Sequence, residues 1–110
     1  MKNNWYMDPE ELAAAVLESQ RLDAPTERVC RLFRLLAERL TGAPRYAHYS
    51  LDDKADMVSA ALEKMIKNIK NYRPERGAKV FNYFTMCAEQ AFWQFLKKHY
   101  GWINKRRIAA

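Results

Sequence analysis

VFNYFTMCAEQAFWQFLKK, residues Val80–Lys98, carries six aromatic residues in nineteen positions and has the pattern of a single helix. One buried face of an amphipathic helix could use only about half of these rings. The other rings therefore require a second explanation, and their positions around the helix axis provide one.

The side chains of this helix fall into two stripes when successive residues are placed about 100° apart. The first stripe is apolar and predicts the buried face: Phe84, Ala88, Ala91, Phe92 and Phe95, with Leu96 at its edge. The second, which we call the mixed stripe, spans roughly a quarter turn. It consists of Tyr83, Met86, Gln90, Trp93 and Lys97. Rings, a thioether, an amide and an ammonium do not make an obvious core.

The mixed stripe is suited to unpaired nucleic acid. Aromatic rings stack on bases, a contact worth about 1–3 kcal/mol per base. Gln90 offers both a donor and an acceptor to a base edge, while Lys97, Lys98 and the basic C-terminal tail could hold phosphates.

Two other interpretations of the mixed stripe stay open on periodicity alone. Met86 and Trp93 could pack beneath the N-terminal segment, where Trp5 and Tyr6 also need cover. Alternatively, the stripe could line a protein–protein groove, because aromatic residues are enriched at interfaces.

Capping and breaking signals predict three further helices. Asp8 with Glu11, and Ser50 with Asp53, form capping boxes, and Gly101 is the expected cap of the last helix. The predicted bounds are about Pro9–Gln20, Pro25 or Thr26 to Leu40, Ser50–Asn71 and Val80–Tyr100. The sequence has no strand pattern, so we expect a compact all-α domain of four helices that ends in a helical hairpin.

Length and composition predict one intracellular domain without a cofactor. The 110 residues allow a single domain, with a core of about 8–100 and a basic tail of 101–110. No long apolar run or signal-peptide pattern is present, so we expect a soluble cytoplasmic protein without membrane contact. Cys30 and Cys87 are isolated thiols, with only His48 and His99 as possible co-ligands, and we interpret both as small core residues. We expect no metal, and no catalytic constellation is evident.

The charge is unevenly distributed along the chain. Residues 1–65 hold nine Lys/Arg and eleven Asp/Glu, whereas residues 66–110 hold ten and two. A basic half of this kind favours a polyanionic partner over a merely solvated surface.

Two consecutive segments resemble conserved region 2 of bacterial sigma-70-type sigma factors. DKADMVSAALEKMIKNIKNYRPERG, residues 53–77, has an acidic residue, two aliphatics, an aromatic and a Pro-Glu-Gly turn at family spacing. The positions concerned are Asp56, Met57, Val58, Ala61, Leu62, Met65, Tyr72, Pro74, Glu75 and Gly77. The following aromatic helix is similar to the promoter-melting segment, with Tyr83, Thr85, Gln90 and Ala91 at family-like positions. Within the family, the chain most resembles late sigma factors of T-even-type phages over residues 8–100.

The resemblance implies that the third helix docks on the clamp coiled coil of the largest RNA polymerase subunit. The corresponding positions are Asp53, Asp56, Ser59, Ala60 and Glu63. Primary sigma factors have Gln-Glu where this chain has Ser59 and Ala60. We therefore expect docking to depend more on Asp56, on Glu63 and on apolar contact.

The resemblance also implies that the last helix captures the non-template strand of a −10-like promoter element. The expected DNA-binding residues are Tyr72, Lys79, Tyr83, Met86, Gln90, Trp93, Lys97 and Lys98. Met86 and Cys87 replace the paired tryptophans of primary sigma factors, so promoter opening could need help, and Trp93 could restore part of the stacking surface.

Together these features predict a minimal, phage-encoded sigma factor that binds bacterial-type polymerase core and opens an AT-rich −10-like element. It would have no catalytic role and would act in the host cytoplasm. A sliding clamp or co-activator is a further candidate partner. Late sigma factors of T-even-type phages bind the clamp through a hydrophobic C-terminal tail, and this chain has only Ile103 and Ile108 in that region, so dependence on a clamp is doubtful. The alternatives are a polymerase-binding regulator that copies the docking helix without melting promoters, and a general single-strand-binding helical module.

Overall fold

The computed structural model describes the backbone of residues 8–74 and 79–109, and the side chains of residues 8–74 and 79–100. The described residues form four helices, α1 (Pro9–Leu22), α2 (Glu27–Thr41), α3 (Leu51–Lys67) and α4 (Val80–Ala109), with 3-10 turns at Pro44–Tyr46 and Ile69–Asn71. No strand occurs in the described segments, and the prediction of an all-α fold is confirmed.

The first three helices begin where the capping signals predict. Asp8 accepts a hydrogen bond from the backbone N–H of Glu10 at 3.0 Å, and Ser50 accepts one from the N–H of Asp53 at 3.0 Å. Thr26 caps α2 by accepting from the N–H of Val29 at 3.1 Å. Each cap satisfies a donor that the helix cannot pair internally, and replacing it with alanine typically costs about 1 kcal/mol.

The ends of α1 and α3 differ from the prediction. α1 continues two residues beyond Gln20, to Leu22, and Asp23 ends it in the left-handed conformation with φ 57°. α3 stops at Lys67 rather than near Asn71. At that point the side-chain amide of Asn68 donates to the carbonyl of Lys64 at 2.9 Å, and the chain tightens into the 3-10 turn.

The predicted end of α4 is wrong. The helix passes through Gly101 and reaches Ala109, so Gly101 is not its cap. A glycine inside a helix costs about 1 kcal/mol relative to alanine but retains its N–H group, so it weakens a helix without having to end it. Residues 101–109, interpreted from sequence as a tail, thus continue α4.

The core lies where α2, α3 and α4 meet, with α1 closing one side. α3 and α4 pack together more extensively than any other pair of helices, as expected for a helical hairpin. Phe33, Phe84 and Phe92 are fully buried, and the rings of Phe33 and Phe84 have centroids 4.8 Å apart. The apolar stripe of α4 is therefore buried as predicted, with one exception.

That exception is Phe95, which is half-buried and stacks on His99 with ring centroids 5.2 Å apart. Leu40, Leu62 and Ile66 are likewise only half-buried at the edge of the core. Cys87 is a buried core residue, while Cys30 is half-buried. Burial raises the pKa of the Cys87 thiol, with the nearby charge of Lys64 opposing the shift.

Two long-range hydrogen bonds from one side chain hold the segment between α3 and α4 in place. The amide nitrogen of Gln20 donates to the carbonyls of Ile69 at 2.7 Å and Tyr72 at 2.8 Å. The end of α1 is therefore bonded directly to the segment that follows α3. Glu75 and Gly77, expected to form the tight connection, lie outside the described residues.

In the described part of the chain, no helix combines the length and apolarity required to cross a membrane.

Candidate nucleic-acid interface

The mixed stripe lies largely on the outside of α4. Trp93 is 67% exposed and Met86 is 52% exposed, and both Gln90 and Lys97 are exposed. Trp5 and Tyr6, the proposed cover for Met86 and Trp93, lie outside the described residues. The described helices therefore leave a large ring and a flexible thioether open to a ligand.

Tyr83 sits at the inner margin of the mixed stripe. It is half-buried, with its ring edge-on to Phe84 at 4.9 Å and tilted against Tyr72 at 5.4 Å. Tyr72, also expected to contact DNA, is only 5% exposed because its ring packs against both neighbours. In this conformation Tyr72 packs on the inner side of Tyr83, and neither face of its ring is open to a base.

Exposed lysines flank the mixed stripe at both ends. Lys79 lies just before α4, where its carbonyl accepts from the N–H of Tyr83 at 2.9 Å, while Lys97, the last member of the mixed stripe, and Lys98 lie at the other end of the stripe. From Lys79 to Lys97 the helix rises about 27 Å at 1.5 Å per residue. Exposed aromatic residues combined with positive charge are the features that single-strand-binding surfaces share.

The expected polymerase-docking residues do not form one uniform surface. Asp56, Ser59 and Glu63 are exposed and share a face of α3 by their spacing of three and four. Ala60 is half-buried and lines a groove between α3 and α4. Glu63 lies 3.7 Å from Lys67 on the next turn, but both side chains are more than 70% exposed, so this ion pair is weak and can be exchanged for a partner's charge.

Asp53, the fifth of these residues, is engaged within the domain. Its side chain is only 14% exposed and lies 3.6 Å from the ring nitrogen of His99. The hydroxyl of Tyr100 donates to its carboxylate, and this hydrogen bond raises the pKa of Tyr100, with burial adding to the effect. Asp53 therefore attaches the start of α3 to the far part of α4.

The sequence does not reveal this attachment, because its members lie far apart in the chain. Tyr49, in the segment between α2 and α3, adds a ring 5.8 Å from that of Tyr100. The one available signal was the aromatic content of residues 46–49, which is high for a connecting segment.

In the described residues, no group of three or more histidine, cysteine or acidic side chains is placed to hold a metal ion.

The helical hairpin thus places exposed acidic residues on α3 and an exposed aromatic stripe with lysines on α4. The sequence model of sigma-70 region 2 matches residues 31–101, and the chain belongs to this family. Domains of this family bind RNA polymerase core and promoter DNA and are not catalytic. No curated protein and no solved structure matches the chain. The predicted family is confirmed, and α1 lies outside the matched segment.

Proposed function

We propose that this chain is a minimal sigma factor, phage-encoded and of the late T-even type, that directs polymerase core to a −10-like element and opens it. The observation that supports this best is the exposure of Trp93 and Met86 on α4, within the segment matched by the family. An apolar, ring-bearing surface that the described helices leave uncovered is suited to bases removed from a duplex.

The docking surface in this proposal is the exposed face of α3. Asp56, Ser59 and Glu63 would meet the clamp coiled coil of the largest polymerase subunit. Asp53 would act indirectly, because its carboxylate already accepts from Tyr100. Docking would thus depend on two acidic side chains and on the short Ser59 and Ala60 surface between them.

The DNA surface in this proposal is the mixed stripe with its flanking lysines. Trp93 would stack on an extruded base, Gln90 would meet a base edge, and Lys79, Lys97 and Lys98 would hold phosphates. Extruding a base costs a few kcal/mol, which is comparable with about 1–3 kcal/mol from one stacked ring. Opening would therefore depend strongly on Trp93, because Met86 and Cys87 stand where primary sigma factors have tryptophans.

Transcription from purified polymerase core tests the proposal. Core alone, and core with this protein, would be compared on a pool of AT-rich templates, with sequencing of transcript 5′ ends. Discrete starts at a fixed distance from a common element, dependent on the protein, are the expected result. Random starts, or none, would contradict the sigma assignment.

A second candidate is a polymerase-binding regulator that occupies the docking site without melting promoters. The buried position of Cys87 favours it, because one of the two family tryptophan positions faces the core here and contributes nothing to the DNA surface. Binding to core without promoter-dependent transcripts, combined with inhibition of another sigma factor, would identify this function.

A further inference from the structure

An open cavity of about 700 Å³ lies between the end of α1, the α1–α2 turn and the end of α3. Three cationic side chains line it, Lys67, Lys70 and Arg73, against one acidic residue, Asp23. All three cations are exposed. The cavity therefore has a net positive lining, and part of its wall comes from residues that precede the family segment.

Local backbone geometry places these cations on one side. They follow one another at intervals of three, and the chain between them passes through the 3-10 turn Ile69–Asn71. Lys67 ends α3, Lys70 lies within the turn and Arg73 follows it, and all three line the same cavity. Arg73 is also held in place, since its guanidinium donates to the carbonyls of Lys70 at 2.8 Å and Tyr72 at 3.2 Å.

A second groove of about 410 Å³ continues this surface between α3 and α4. Lys67 lines both cavities, and in the groove it is joined by Lys64 and by Lys98, with Glu63 as the acidic residue. We call the set Arg73, Lys70, Lys67, Lys64 and Lys98 the basic track. It contains five cations beside two carboxylates and reaches α4 at the end of the mixed stripe.

We propose that the basic track binds the sugar–phosphate backbone of nucleic acid without sequence preference, as a contact surface additional to the mixed stripe. From Lys64 to Arg73 the track spans roughly 15 Å, at 1.5–2 Å per residue. Lysines act as point charges that position a backbone and do not read bases. The inference rests on the proposed function for its choice of nucleic acid over other polyanions.

The test measures binding of the isolated protein to labelled random-sequence oligonucleotides, single-stranded and duplex, by fluorescence anisotropy at several salt concentrations. The variant Lys67→Gln/Lys70→Gln/Arg73→Gln should bind more weakly. Its plot of log K against log salt should be shallower by about 2 for single strands and nearly 3 for duplex, if each cation meets one phosphate. An unchanged slope would overturn the proposal.

The chain offers a matched control on α2. Arg28, Arg31 and Arg34 are exposed and have the same spacing of three, so changing all three to glutamine removes the same charge from another surface. This variant should keep most of the wild-type salt slope, and an equal loss would show a general charge effect and overturn the proposal. The charge-retaining variant Lys67→Arg/Lys70→Arg/Arg73→Lys should bind as the wild type does.

Competition identifies the ligand. Millimolar ATP or an acidic peptide should displace the oligonucleotide only weakly, whereas preferential binding of either would overturn the assignment to a nucleic-acid backbone. Thermal melting of each variant confirms folding, and Lys67→Gln/Lys70→Gln, which spares the hydrogen bonds of Arg73, provides a milder test. These measurements use no polymerase, so a failure of the track and a failure of promoter-dependent transcription are separate results.

Discussion

Trp93 differs most clearly in its exposure from the buried residues beside it on α4. Phe92, its neighbour, is fully buried, whereas Trp93 is 67% exposed. Adjacent positions on a helix lie about 100° apart, so a single-residue step moves a ring from the core to the surface. The exposed ring has no evident stabilising role in the described structure, and its removal should affect ligand binding more than folding.

We predict that Trp93→Ala lowers promoter opening roughly 5- to 150-fold, which corresponds to the loss of one stacked base at about 1–3 kcal/mol. Opening would be followed by the fluorescence of 2-aminopurine placed in the −10-like element. Leu22→Ala, which truncates another exposed apolar side chain, is the control and should leave opening unchanged. If both variants opened the element equally well, Trp93 would not be part of the DNA-binding surface.

Asp56 is the acidic residue of α3 best placed to meet a partner, because it is exposed on the same face as Glu63. We predict that Asp56→Arg weakens binding to polymerase core about tenfold or more, because an acidic docking face is suited to a cationic partner surface and a like charge placed against it can cost several kcal/mol. Core affinity would be measured by biolayer interferometry. Glu38→Arg makes the same charge change on α2 and should bind core normally; a similar loss there would argue against a local contact.

At the scale of elements, two long-range attachments hold the hairpin in place. Asp53 at the start of α3 accepts from Tyr100 on α4, and Gln20 on α1 donates to two carbonyls beyond α3. The first connects α3 to α4, and the second fixes the segment that leads into α4. Neither uses an exposed side chain of α3 or of the mixed stripe, although Gln20 also lines the cavity of the basic track.

We predict that Gln20→Glu destabilises the fold by about 1–3 kcal/mol, because it removes both hydrogen bonds and turns a carboxylate towards the carbonyls of Ile69 and Tyr72. Urea unfolding followed by circular dichroism measures this loss. Gln94→Glu introduces the same charge at an exposed position of α4 and should be nearly neutral. If both variants unfold alike, the bridge contributes nothing to stability.

At the scale of the whole molecule, the free energy of unfolding should decrease as the pH rises into the alkaline range. Burial raises the pKa of Cys87 above its ordinary value of 9.0, so folding favours the protonated thiol. A hydrogen bond to Asp53 raises the pKa of Tyr100, and burial raises that of Tyr46, each above 10.0. Stability from these groups is complete below their ordinary pKa values and is lost as the pH rises through the raised ones.

We predict that the free energy of unfolding begins to fall above about pH 9, and that Cys87→Ala removes the earliest part of this decline. Unfolding in urea at intervals from about pH 7 to 10.5, under reducing conditions, provides the measurement. Cys30→Ala retains the buried thiol and should keep the wild-type decline. The same early decline in Cys87→Ala would assign it to other groups.

Part of the candidate site has local signals in the sequence. Helical periodicity groups Met86, Gln90 and Trp93 on one side of α4, apart from the apolar stripe, but spacing alone does not decide whether that side is covered or open. Tyr72 could not be placed in this way. Its position fits a family contact, but its burial depends on the rings of Tyr83 and Phe84, which reach it only through the hairpin.

By itself, the sequence determined the helices, most of their caps, the apolar stripes and the concentration of positive charge in the second half, because these depend on neighbours within a turn or two of helix. Tertiary structure alone decided that Asp53 is engaged by Tyr100, that Gln20 bridges to Tyr72, and that cations of α3 join Lys98 of α4. The partners in these contacts lie 47 and 52 residues apart in the two hydrogen-bonded pairs. Periodicity specifies which face of a helix is polar, but only packing specifies what that face meets.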